Sequence, residues 1–132
     1  MTSLGIAHAG ILVSDLERSL AFYVGALGLR RDERRPDLGY PGAWLELPSG
    51  QQIHLLALKE PGAARSAAPG RDYHLAIYVR ALDDVRRALS RIQVSFIASR
   101  SGRNAIFCRD PDGNALEFIE LVTDEDIRTF ST

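Results

Sequence analysis

The chain has 132 residues, 45% hydrophobic and 25% charged, which suits one soluble globular domain with a proper core. Sixteen basic and seventeen acidic residues give a formal charge of −1, which excludes a general field for nucleic acid or an acidic membrane. The lone Cys108 excludes an internal disulfide, no apolar run reaches the length of a membrane span, and no basic leader opens the chain, so a cytoplasmic location is expected.

Residues Gly5 to Val13 read as a strand. "SDLERSLAFYVGALG" follows as a helix, with Leu16, Leu20, Tyr23 and Leu27 at helical spacing. Ser14 and Glu17 fit a capping box, and Gly28 fits a C-terminal stop. Short strands are expected near 29–35, 43–47 and 51–58, the last two joined by the turn "PSG". The basic cluster "RRDERR" at 30–35 is interrupted by acids and reads as a solvated strand end rather than an anion site. "KEPGAARSAAPGR" at 59–71 has no periodicity and reads as an exposed, mobile linker.

From Tyr73 the plan repeats. "YHLAIYV" is a strand, and "LDDVRRALSRI" is a helix with Leu82, Val85, Leu89 and Ile92 on one side. Strands near 94–99, 103–108 and 114–121 complete the second module, with "DPDGN" turning the chain before the last. The expected fold class is α+β: two βαβββ modules, about 4–58 and 72–122, each a curved mixed sheet with its helix on the outer face.

All three histidines sit in apolar, strand-like segments: His8, His54 and His74. An imidazole buried there without a partner costs roughly 1–3 kcal/mol, so each needs one. His8 and His74 occupy the same place in their opening strands, and His54 and Glu117 occupy matching closing strands. The separations are 46 residues (8 to 54) and 43 residues (74 to 117), as a duplicated unit with a small loop difference requires. Strand alternation puts Gly10 and Leu12 with His8, Leu56 with His54, Tyr78 with His74, and Ile119 with Glu117. The opposite faces carry Ile53, Leu55, Ile77, Leu116 and Phe118, the natural seats for the helices.

Taken singly, a strand histidine is usually a hydrogen-bonded core or edge residue, and a strand glutamate usually faces solvent. Together, three imidazoles and a carboxylate form an N₃O donor set suited to a divalent metal with open positions. Cys108 reads as a small strand residue rather than a nucleophile.

The segments "HAGILVSDLERSLAFYVGALGL", "GAWLELPSGQQIHLL", "DYHLAIYV" and "IFCRDPDGNALEFIEL" resemble the vicinal oxygen chelate superfamily over about Leu4 to Val122. That superfamily includes glyoxalase I, extradiol dioxygenases, fosfomycin-resistance transferases and bleomycin-resistance proteins. The resemblance is greatest to glyoxalase I-like proteins. It implies a concave site at a dimer or module interface, with His8, His54, His74 and Glu117 at the four ligand positions. It also implies a homodimer, a small-molecule substrate and a divalent ion (Zn, Ni, Co, Mn or Fe).

Residues that mark individual branches differ here. The positions that bind glutathione through arginine and asparagine hold Leu12 and Leu58. The tyrosine expected before the Asp-Pro pair of extradiol enzymes is Phe107, and the threonine of fosfomycin transferases is Gly10. The leading expectation is a glyoxalase-like lyase or isomerase with Glu117 as ligand and general base. An Fe(II) ring-cleaving dioxygenase and a non-catalytic binding or resistance protein are the alternatives. Leu12, Leu58, Tyr78, Arg103 and Phe107 are the expected substrate-contacting residues. Trp44 and Arg100 are further specificity candidates, against ordinary core and surface roles.

Overall fold

The structure, a computed structural model, describes residues 2–3, 5–58, 67–121 and 123. In the first module β1 (His8–Leu12) leads to α1 (Leu16–Leu20), which continues as a π-helical turn over Ala21–Ala26. Then come β2 (Arg30–Asp32), β3 (Gly42–Glu46) and β4 (Gln52–Leu56). The second module repeats this as β5 (His74–Val79), α2 (Leu82–Arg91), β6 (Phe96–Ala98), β7 (Ala105–Arg109) and β8 (Ala115–Glu120). Each module forms a four-stranded mixed sheet, ordered β1-β4-β3-β2 and β5-β8-β7-β6. In both, the opening strand pairs in parallel with the closing strand, and the remaining pairs are antiparallel. This is the expected α+β fold of paired βαβββ modules.

The apolar alternation explains the layering. Ile53 and Leu55 of β4, Ile77 of β5, and Leu116 and Phe118 of β8 are buried in one cluster with Phe22, Leu82, Val85 and Leu89 from the helical segments. The histidine-bearing face of β1 and β5 lies on the other side, where His8, Gly10, His74 and Ala76 are exposed. Gly28 closes the first helical segment at φ +74°, a left-handed stop that a side chain disfavours.

Two local expectations are corrected. The cap of α1 is Asp15, whose carboxylate accepts from the Arg18 amide at 3.0 Å. Ser14 turns away to donate to Asp112 Oδ1 at 2.6 Å, a long-range partner that outcompetes the local box. The linker is the second correction. Residues 59–66 lie outside the described residues, but Pro69–Arg71 forms a 3₁₀ turn against β7 and β8, with Pro69 buried. Asp72 pairs with Arg109 at 2.7 Å, so this end of the segment is anchored rather than mobile.

The modules are latched at one end. Tyr23 Oη donates to Asp110 Oδ2 at 2.7 Å, and Asn114 Nδ2 donates to the Leu12 carbonyl at 3.0 Å. Burial above all, then the Asp110 carboxylate, raises the Tyr23 pKa well above the ordinary phenol value. At the start of β3, a Cβ on Gly42 would lie 2.5 Å from the Leu55 carbonyl oxygen and 2.8 Å from the Arg35 guanidinium. The carbonyl cannot move without breaking the β3–β4 ladder, so Gly42→Ala should destabilise the protein by about 1–3 kcal/mol in urea unfolding. An unchanged midpoint would mean that the ladder yields there freely.

Candidate metal centre

The parallel register sets the donor positions. Ala76 lies opposite Glu117 and His74 opposite Ala115, so His74 and Glu117 are diagonal neighbours on one face. In the first module Gly10 lies opposite His54 and His8 opposite Gln52, the same diagonal. The duplication therefore extends to the relative placement of the two polar pairs.

In the second module the histidine tautomer is set by the backbone. His74 Nδ1 lies 2.9 Å from the Asp72 carbonyl, which can only accept, so Nδ1 carries the proton. Nε2 then faces Glu117 Oε2 at 3.5 Å. In the neutral ring both atoms offer lone pairs, and a cation between them relieves the confrontation. Their spacing is close to the edge of a tetrahedral site with bonds of about 2.0–2.2 Å. Glu117 is only 3% exposed. The Phe107 ring meets His74 edge-on at 5.3 Å and forms an apolar wall beside the pair.

The first module is built differently. The His54 ring is stacked between His8, at 3.9 Å and 13°, and Trp44, at 4.7 Å and 9°. Its Nε2 lies 2.8 Å from Gln52 Oε1. Gln52 Nε2 in turn donates to Asp32 Oδ2 at 2.9 Å, and Arg34 donates to both oxygens of Asp32. Those Arg34 bonds hold the Asp32 carboxyl well below the usual range, so it stays an acceptor. An acceptor there fixes the Gln52 amide, and the amide oxygen fixes the proton of His54 on Nε2. Burial, then the neighbouring His8 and Arg35, lowers the His54 pKa from its ordinary value.

His74 and Glu117 thus suit a divalent ion, and the exposed His8 has the right chemistry to join them. His8 and His54 as stacked do not suit one ion together. A metal lies near the plane of each imidazole that binds it, with bonds of about 2.0–2.1 Å, and near-parallel stacked planes share no such point. Among the described residues, no three His, Cys, Asp or Glu side chains gather into a metal-sized cluster. The four sequence-selected residues therefore fall into two pairs on two sheets within one copy.

The other candidates are placed as follows. Leu12, Tyr78 and Leu58 are 49%, 50% and 55% exposed, and Phe107 is buried beside His74. Trp44 forms one side of the His54 stack. Arg100 and Arg103 lie in the exposed stretch between β6 and β7, where the Arg103 amide donates to Ser101. The acids within and opposite "RRDERR" pair with its arginines, Arg30 with Glu46 and Arg34 with Asp32. The Cys108 thiol is buried, and burial with the nearby Asp110 pushes its pKa up to about 12, which leaves it inert as a nucleophile.

Sequence reasoning missed the Asp32–Gln52 support of His54. Gln52 was within reach, since it precedes His54 by two residues and shares its face. Asp32 was not, because its place depends on the register that sets it opposite Trp44.

With this geometry in place, the comparisons with known proteins converge on one superfamily. The family profile "Glyoxalase/Bleomycin resistance protein/Dioxygenase superfamily" matches residues 5–118. The chain is 31% identical over 126 residues to a lactoylglutathione lyase of Haemophilus influenzae, covering 87% of this chain and 91% of that one. It is 29% identical over 123 residues to a catechol-2,3-dioxygenase of Bacillus subtilis, covering 85% of this chain and 40% of the relative's length. In fold it is similar to a glyoxalase family protein of Bacillus anthracis, with a TM-score of 0.76 and 24% identity over 92% of this chain and 98% of that one. The chain belongs to the glyoxalase, bleomycin resistance protein and dioxygenase superfamily.

Proposed function

We propose that the protein is a divalent-metal-dependent enzyme of the glyoxalase-like type, a lyase or isomerase acting on a small oxygen-chelating substrate. The observation that carries this reading is the His74–Glu117 pair, a tautomer-fixed imidazole and a buried carboxylate 3.5 Å apart. We propose further that a second copy completes the site, with His8 of one copy meeting His74 and Glu117 of the other. The exposure of the histidine faces and of Leu12 and Tyr78 supports that arrangement.

A divalent ion bound there supplies Lewis-acid stabilisation to negative charge developing beside a carbonyl. The chain's own residues do the rest. The Asp72 carbonyl keeps the His74 proton on Nδ1. Glu117 is the group able to take and return a substrate proton at its carboxylate. Phe107 lies beside His74, and Leu12 and Tyr78, exposed in one copy, would help exclude water from the site once a second copy covers them.

A ring-cleaving oxygenase is the second reading. It is favoured by the His54 stack, which leaves two histidines and one carboxylate as donors, a set typical of non-haem Fe(II) oxygenases. Oxygen consumption with catechols after anaerobic iron loading separates it from isomerisation.

A mixing experiment tests the shared site. Copies carrying His8→Ala and copies carrying His74→Ala should each bind zinc poorly. After subunit exchange, each mixed dimer regains one intact site, so about a quarter of wild-type zinc capacity should return. No recovery in exchanged dimers would place the donors within one copy or remove the metal altogether.

A further inference from the structure

We infer that His54 is withheld from the metal and acts as a positioning residue, its ring orienting His8 while the Arg34–Asp32–Gln52 relay keeps its own Nε2 occupied. The inference rests on the metal-dependent reading above and concerns which of the matched positions binds the ion.

Three independent contacts hold His54. Its faces are taken by His8 and Trp44, at ring separations of 3.9 and 4.7 Å. Its Nε2–H is donated to Gln52 Oε1 at 2.8 Å. The relay behind Gln52 is anchored by a buried carboxylate, because Asp32 accepts Gln52 Nε2 and is gripped by Arg34. To reach an ion through Nε2, His54 must break the Gln52 bond. To reach one together with His8 through either nitrogen, it must leave the stack. His74, at the matched opening position of the second module, has the opposite polarity, with Nδ1 protonated and Nε2 directed at Glu117. The duplicated positions have thus diverged into a donor pair and a pair with one supporting member.

The chemical consequence is a lower count of protein donors. His8, His74 and Glu117 leave at least one more open position than a four-donor set, room for a substrate that chelates through two oxygens. His54 then contributes by restricting the His8 ring, as outer contacts restrict metal-binding histidines generally.

The test uses zinc alone and ¹⁵N-histidine-labelled full chain, read by long-range ¹H–¹⁵N NMR. The expected result is that zinc shifts nitrogens of His8 and His74 while His54 keeps its proton on Nε2 and an unligated Nδ1. In Gln52→Leu, which removes the acceptor, His54 should populate both tautomers. His54→Phe, which keeps a ring in the stack, should hold zinc within about threefold of wild type. His8→Ala should weaken it by roughly a hundredfold. A zinc-induced ligation shift at His54 in the wild type, or a loss in His54→Phe equal to that in His8→Ala, overturns the inference and leaves the metal-dependent reading intact. No response from any histidine removes that reading and this inference together. The wild-type spectra decide the matter even if a variant fails to fold.

Discussion

Asp110→Ala is expected to cost the protein about 3 kcal/mol or more, enough to lower the melting temperature by roughly 10 °C in a chain of this size. Asp110 Oδ1 accepts from the amides of Asp112 and Asn114 at 2.9 and 2.8 Å. Its Oδ2 accepts from Tyr23 Oη and Asn114 Nδ2 at 2.7 and 2.8 Å. All of this is buried or partly buried, and Tyr23 is fully so. Truncation strands donors that water reaches poorly, and each such group costs about 1–3 kcal/mol. It also loosens the turn that aims Asn114 at Leu12 and Asp112 at Ser14, the contacts that latch the two modules. Urea unfolding of Asp110→Ala beside Tyr23→Phe apportions the loss. The phenylalanine variant removes one donor and leaves three on the carboxylate, so it should lose only about 1 kcal/mol. A loss below about 1 kcal/mol in Asp110→Ala would show that the modules hold together without the latch.

What could be read before the structure follows a physical division. The alternation of Ile53 and Leu55 with His54, and of Leu116 and Phe118 with Glu117, reports faces directly, because a strand has a side-chain period of two. The duplication was legible for the same reason, since it preserves that period and the order of elements. Contacts decided by tertiary geometry were not legible. Ser14 is followed by a good local partner at Glu17, yet its hydroxyl binds Asp112, 98 residues away. The Ala, Gly and Pro of residues 67–70 suggest a free linker, but Pro69 is buried and Gly70 lets the turn lie against Phe107. A Cβ on Gly70 would stand 3.2 Å from that ring. The helix start at Leu82 shows the same limit. Its amide donates to Glu120 Oε2 at 2.6 Å, a cap supplied by the neighbouring strand rather than by a preceding residue. At the candidate site, strand alternation put His8 on the face of His54 and His74 on that of Glu117, and the register makes each pair diagonal neighbours. Ring stacking and the Gln52 amide, which distinguish His54 from the other three, required the packed structure.

Glu117→Gln is the substitution expected to affect turnover most. The change is isosteric, keeps an oxygen donor, and should preserve the fold and much of the metal. It removes the carboxylate that lies 3.5 Å from His74 Nε2. General-base catalysis typically contributes a factor of about 10²–10⁴, so a loss of that size in kcat is the expected result once a substrate is in hand. His54→Phe provides the contrast. If His54 is a positioning residue, its variant, which keeps a ring in the stack, should retain metal and lose far less turnover than Glu117→Gln. In the oxygenase reading the contrast sharpens, because Glu117 is one of only three protein donors. Metal content and turnover measured on both variants therefore separate proton transfer from ligation. Equal turnover in wild type and Glu117→Gln would defeat both enzymatic schemes. The histidine-bearing faces would then serve to bind a small molecule without transforming it, as in a resistance protein.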